Sequence, residues 1–141
     1  MKFFATEIYQ SQLQSSTSKL NQNLLEECEQ VRGFDKAGIK WSEKNYFGGF
    51  TSYSSWNNMQ HRLSTFADLE KAIDKHVKKF IESLEWDLMG RKLRMSNCWV
   101  NIMPQGTHHS LHLHPLSVIS GTYYVQTPKN TSSIKFEDPR L

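Results

Sequence analysis

The chain reads as an α+β protein, with helices backing one face of a β-sheet or barrel, and three features lead there. Apolar residues recur at helical spacing in two stretches, residues 19–33 and 66–84. From Arg94 onward the spacing changes to alternation, in segments separated by short turns carrying Gly or Pro. Helices first and antiparallel-looking strands afterwards is the order of an α+β fold. At 141 residues, 38% hydrophobic and 22% charged, the chain has the size of one domain and enough apolar material for a core.

Taking the elements in order, Lys2 to Tyr9 alternates weakly and predicts a short strand anchored by Phe4 and Ile8. Gln10 to Ser18 is polar and reads as a loop. Leu20, Leu24, Cys28 and Val31 then follow helical spacing, Leu25 widens the stripe, and Gly33 offers a stop. Asp35 to Tyr53 holds Gly38, the pair Gly48-Gly49 and five aromatic residues, and reads as loop with one strand at most. Thr65-Phe-Ala-Asp68 fits a capping box, followed by the clearest helix, with Phe66, Leu69, Ile73, Val77, Phe80 and Leu84 on one face. Its lysines are read as a solvated face. After Gly90, Arg94 to Met103 alternates, with Cys98, Val100 and Ile102 on one side and Asn97, Trp99 and Asn101 on the other. Val118 to Thr127 and Ser133 to Phe136 complete the expected strands.

Several function classes lose support on composition. The 17 basic and 14 acidic residues leave a net charge of +3 without a dense basic stripe, so nucleic-acid binding is not indicated. Cys28 and Cys98 are too few and too far apart for a disulfide framework or a Cys-x-x-Cys metal site, and read as core residues in a reducing compartment. No apolar run approaches a membrane span and the N-terminus lacks the pattern of a secretion signal, so a cytoplasmic location is expected.

Four of the six histidines fall between His108 and His114. If that tract is extended, His108, Ser110, His112 and His114 share one side and His109, Leu111 and Leu113 the other. Two imidazoles two residues apart on one strand reach a single ion, and neutral imidazole suits iron, nickel, copper and zinc. His112 and His114 are therefore the candidate metal ligands. The competing reading is a solvated histidine-rich loop, against which the interleaved leucines argue for a half-buried strand.

Trp99-Val-Asn-Ile102, His112-Leu-His-Pro115, Ser120-Gly-Thr-Tyr-Tyr-Val125 and Phe136-Glu-Asp-Pro-Arg140 occur in an order that resembles one oxygenase group. These are the iron(II) and 2-oxoglutarate-dependent oxygenases carrying His-x-His-Pro and Ser-Gly-x-Tyr-Tyr patterns, in the prolyl-hydroxylase-like superfamily. Asn45-Tyr-Phe-Gly-Gly-Phe-Thr-Ser52 is similar to a segment of the same group. The resemblance implies a double-stranded β-helix, or jelly roll, backed by helices. It implies a dioxygenase that uses Fe(II), 2-oxoglutarate and O₂, with ascorbate as reductant in vitro. By position His112 is the first ligand, and His114 occupies a place held by Asp or Glu in the wider superfamily, which removes one negative charge from the site. Tyr124, on the face of Ser120 and Thr122, and Asn101, on the preceding strand, are the candidates for contacting 2-oxoglutarate; a half-buried core role for Tyr124 competes.

The resemblance also implies a departure. No histidine follows His114, and only four or five of about eight jelly-roll strands are legible. The expectation is a single, C-terminally incomplete domain over residues 1–141, with 1–93 a mainly helical scaffold and 94–141 the strands. The missing ligand and strands would come from a companion chain, a second copy or further sequence, with Glu137 or Asp138 as local substitutes for the ligand. Two other readings are a non-catalytic binding module derived from that fold and a cupin-like metal protein that needs no 2-oxoglutarate.

Overall fold

The structure is a computed structural model and describes residues 5–137. Among these residues three helices, one 3-10 turn and one pair of short strands follow in the order α1 (Ser18–Phe34), α2 (Lys36–Asn45), β1 (Phe50–Thr51), the 3-10 turn Met59–His61, α3 (Ser64–Ser83) and β2 (Asn101–Ile102). β1 and β2 are antiparallel, pairing Phe50 with Ile102 and Thr51 with Asn101. Among the described residues no helix is long and apolar enough to cross a membrane.

The core forms where α1, α3, β1, the 3-10 turn and the approach to β2 converge: Leu24, Cys28, Val31, Phe50, Met59, Phe66, Leu69 and Val100 are all buried. The buried residues of α1 lie on its predicted stripe, Leu24, Cys28 and Val31. α3 buries Phe66 and Leu69, while Ile73 packs at the edge of the cluster. Approaching β2, burial alternates as the spacing predicts: Val100 is buried, Cys98 and Ile102 partly so, and Asn97 and Asn101 are exposed.

Several expectations need correction. The stretch after Asp35 is not a loop but contains α2. Asp35 caps that helix by accepting from the Gly38 backbone N–H at 2.9 Å, and Ser55 donates to the same carboxylate. Gly38 looks like a helix breaker in sequence, yet it is required: a Cβ there would run into the Asp35 carboxyl group and Ser55. The capping box is absent, because α3 begins at Ser64 after Leu63 with no side-chain cap. The Thr65 hydroxyl donates instead to Glu27 Oε1 at 2.6 Å, tying α3 to α1. The N-terminal strand does not form over residues 5–9, where Ile8 is exposed, and Phe4 lies outside the described residues. Tyr9 reaches α3, donating its hydroxyl to His76 Nδ1, while His76 Nε2 donates to the Leu13 carbonyl.

Among the described residues, hydrogen-bonded ladders are confined to β1 and β2, with one isolated bridge between Asn58 and Cys98. Residues 108–114, 118–127 and 133–136 run without ladder partners among the described residues. Alternation supplies one face of a strand; the ladder also requires a neighbouring backbone, which these segments do not meet. Tyr123 and Val125 nevertheless pack on the core, held by Asn21, which donates to the Val125 carbonyl at 3.0 Å and accepts from the Tyr123 hydroxyl at 2.6 Å.

The Gly48-Gly49 turn and Ser52 set the junction beneath the histidine tract. Gly48 adopts φ +76°, which favours glycine, and Gly49 lies so close to the Tyr46 ring that a Cβ would come within 2.6 Å of it. Ser52 is fully buried and splices the two chain segments: its N–H donates to the Val100 carbonyl, and its hydroxyl accepts from the Val100 N–H and donates to the Trp56 carbonyl, all at 3.0 Å. On the far side of β1, the Ser42 hydroxyl accepts from Thr51 N–H at 3.0 Å and faces its carbonyl at 3.4 Å.

Candidate functional site: an imidazole pair in a line of aromatic rings

His112 and His114 come together. Their ring centroids lie 4.9 Å apart, and the chain of contacts continues on both sides. His109 lies 5.9 Å from His112 and stacks on Tyr46 at 4.5 Å. On the other side Trp99 lies 6.2 Å from His114 and meets Tyr53 edge-on at 5.0 Å. Six rings from three parts of the chain thus form one line, from the buried Tyr46 after α2 to the half-exposed Tyr53 after β1.

The tract is not the straight, half-buried strand that alternation predicts. Leu111 and Leu113 are exposed at 65% and 75%, so they do not anchor a buried face. His109 and His112, expected on opposite sides, are ring neighbours. A local bond accounts for the turn: His112 Nδ1 meets the Ser110 carbonyl at 2.9 Å. A carbonyl only accepts, so Nδ1 carries the proton and Nε2 keeps its lone pair. That tautomer suits a metal ligand, since ligating histidines commonly donate the other ring N–H to a carbonyl.

The distance between the two ring centres is within the range that a shared ion allows. A nitrogen bound at about 2.1 Å puts its ring centre about 3.2 Å from the metal, so two rings sharing an ion at near-right angles lie about 4.5–5 Å apart. A third donor is not in place: no group of three His, Cys, Asp or Glu side chains able to hold an ion occurs among the described residues. Glu137 is exposed, and Asp138 lies outside the described residues. His61 sits on the 3-10 turn and His76 is engaged through both ring nitrogens, so both belong to the scaffold.

Burial shapes the electrostatics of the line. His109 is held below the usual histidine range, first by desolvation and then by the positive charges His112 and His108 would carry. The Tyr46 phenol is pushed up to about 12 by burial, and its hydroxyl has no hydrogen-bond partner among the described residues.

The two candidates for 2-oxoglutarate contact are placed differently. Tyr124 is 54% exposed, and no ring contact joins it to the histidines among the described residues. Asn101 faces Thr51 across the strand pair. With its nitrogen turned to Thr51, as its neighbours require, its amide donates to Thr51 Oγ1 at 2.6 Å and accepts from Trp99 Nε1 at 3.3 Å. Trp99, Tyr53, Tyr46 and His109 were not marked as site residues by sequence. The Gly48-Gly49 pair beside Tyr46 is a sequence signal able to mark a close backbone approach there.

Comparison with known proteins falls on this region. No curated protein matches the chain. Residues 97–141 match the model of the family described as "Putative 2OG-Fe(II) oxygenase", a stretch that starts just before Trp99 and includes the whole histidine tract. Over its last third, therefore, the chain is similar to a family whose description couples iron(II) with 2-oxoglutarate.

Proposed function

We propose that the chain carries the metal-binding part of an Fe(II)/2-oxoglutarate-dependent dioxygenase of the hydroxylase type, on a partial jelly roll backed by helices. The observation that carries this reading is the His112–His114 ring pair at 4.9 Å with the Nε2 lone pair of His112 left free. His112 and His114 would hold the ion as neutral imidazoles, and Tyr124 would donate its hydroxyl to a 2-oxoglutarate carboxylate. Bound there, Fe(II) with 2-oxoglutarate and O₂ supplies oxidation of a substrate C–H bond, with succinate and CO₂ as co-products.

The site needs a further donor, and the sheet has room for a further strand. Thr51 turns its N–H and carbonyl to Ser42, so the opposite residue, Asn101, turns its own away from β1. Those groups meet no backbone partner among the described residues. An extended segment from a companion chain or a second copy, pairing there, would bring side chains beside the histidines.

Titration of the purified chain with Co(II), followed by visible absorption, tests the pair. Binding is expected in the wild type and at least about tenfold weaker in His112→Ala. His112 is exposed, so the variant should keep its stability to within about 0.5 kcal/mol. Equal binding by wild type and variant would refute the assignment. Conversion of 2-oxoglutarate to succinate, with Fe(II) and ascorbate present, separates the oxygenase from a non-catalytic module. Metal binding without 2-oxoglutarate binding would instead favour a cupin-like protein.

A further inference from the structure

Asn101 sits in a closed loop of contacts built across the strand pair. Its amide nitrogen donates to Thr51 Oγ1 at 2.6 Å, and the same hydroxyl oxygen accepts from the Tyr53 backbone N–H at 3.2 Å. The Tyr53 ring meets the Trp99 ring edge-on at 5.0 Å and 68°. The Trp99 indole N–H closes the loop by donating to Asn101 Oδ1 at 3.3 Å. The Trp99 ring also neighbours His114, with ring centres 6.2 Å apart and planes 30° from one another. Both ends of the Asn101 amide are thereby engaged, the oxygen by Trp99 and the nitrogen by Thr51 and, at 3.2 Å, by the Val100 carbonyl.

We propose that Asn101 is a positioning residue: its amide fixes the rotamer of Trp99, and the indole in turn fixes the plane of the His114 imidazole. An indole has two side-chain torsions, and a partly exposed Trp99 without a partner for its N–H would sample more than one orientation. The hydrogen bond to Asn101 selects one of them, and Tyr53 packs against the result. His114 has no hydrogen-bond partner of its own among the described residues to orient its ring, whereas His112 is oriented by the Ser110 carbonyl. The two imidazoles are thus aligned by different devices, one local and one reaching across the sheet. The functional meaning of this arrangement rests on the proposed metal site, but the positioning itself does not.

The test is NMR of the His114 ring protons in the metal-free protein, combined with Co(II) titration. Asn101→Ala should shift the His114 ring resonances as the indole's ring-current field moves, and weaken Co(II) binding by up to about tenfold. Asn101→Asp should restore both in part, because a carboxylate accepts from the indole N–H and takes a hydrogen bond from the Thr51 hydroxyl but meets the Val100 carbonyl, to which the asparagine amide donates at 3.2 Å, with an oxygen. In a Trp99→Phe background, which lacks the indole donor, Asn101→Ala should cause no further change in His114. Unchanged His114 resonances in Asn101→Ala, or equal shifts in both backgrounds, would overturn the proposal. If Asn101→Ala does not fold, Trp99→Phe alone decides, since His114 resonances that ignore the loss of the indole exclude a role through it. Positioning confirmed by NMR with no Co(II) bound by the wild type would sink the metal reading and leave the Asn101 inference standing.

Discussion

Cys28 and Cys98 share the core as free thiols. Burial is the main cause that pushes Cys28 up to about 12 and Cys98 up to about 11, with nearby acidic groups adding to it. The consequence for stability follows from proton uptake. Above the ordinary thiol value of 9.0 the unfolded chain loses these protons while the folded chain keeps them, so stability is full below pH 9 and falls as pH rises beyond it. Urea midpoints should therefore decline between pH 8.5 and 10.5, and Cys28→Ala, although less stable overall, should show a shallower decline. A midpoint with the same pH slope in both proteins would contradict the buried-thiol account. The same scale shows what the sequence concealed about the site. That His112 and His114 are neighbours follows from two-residue spacing, but the stack of Tyr46 on His109 joins residues far apart in the chain, and no local pattern announces it.

At the level of elements, α1 was legible because helical spacing and burial agree at Leu24, Cys28 and Val31. α2 was not, because Gly38 carries opposite meanings in isolation and in context. Helix propensity favours Gly38→Ala by about 1 kcal/mol. The added methyl group, however, would displace the Asp35 carboxyl that caps the helix and holds Ser55, and forced overpacking costs about 1–3 kcal/mol. The variant should thus be destabilised by about 1 kcal/mol, the middle of a net range of about 0–2, in a urea titration; a more stable protein would show that Asp35 moves aside freely. Ser52→Ala tests the splice between the segments that carry β1 and β2. It would leave the Val100 N–H without its acceptor in a buried place, so a loss of about 2 kcal/mol is expected from chemical unfolding. The strands after His108 were over-read for a complementary reason: alternation of side chains describes a surface, whereas a ladder depends on a second backbone that sequence periodicity does not reveal.

Across the whole molecule, packing is uneven. The helices and the β1–β2 junction enclose the core, while Leu111, Leu113, Leu116, Val118, Ile134 and Phe136 stand 54–99% exposed. Local opening follows hydrogen bonding and burial, so amide exchange should be slow in α1 and α3 and fast over residues 108–137, apart from the turn amides of Ser117 and Thr131. Strong protection throughout that region in the isolated chain would mean that it forms ladders in solution. An exposed apolar segment beside an unpaired strand is ordinarily an aggregation hazard. The Ser42 hydroxyl limits the form it can take. Fibril growth by strand addition needs two open edges, one to receive and one to offer, and α2 has sealed the outer side of β1. Strand addition to this two-stranded sheet is therefore confined to the β2 side, so any partner segment must enter there and lie next to Asn101.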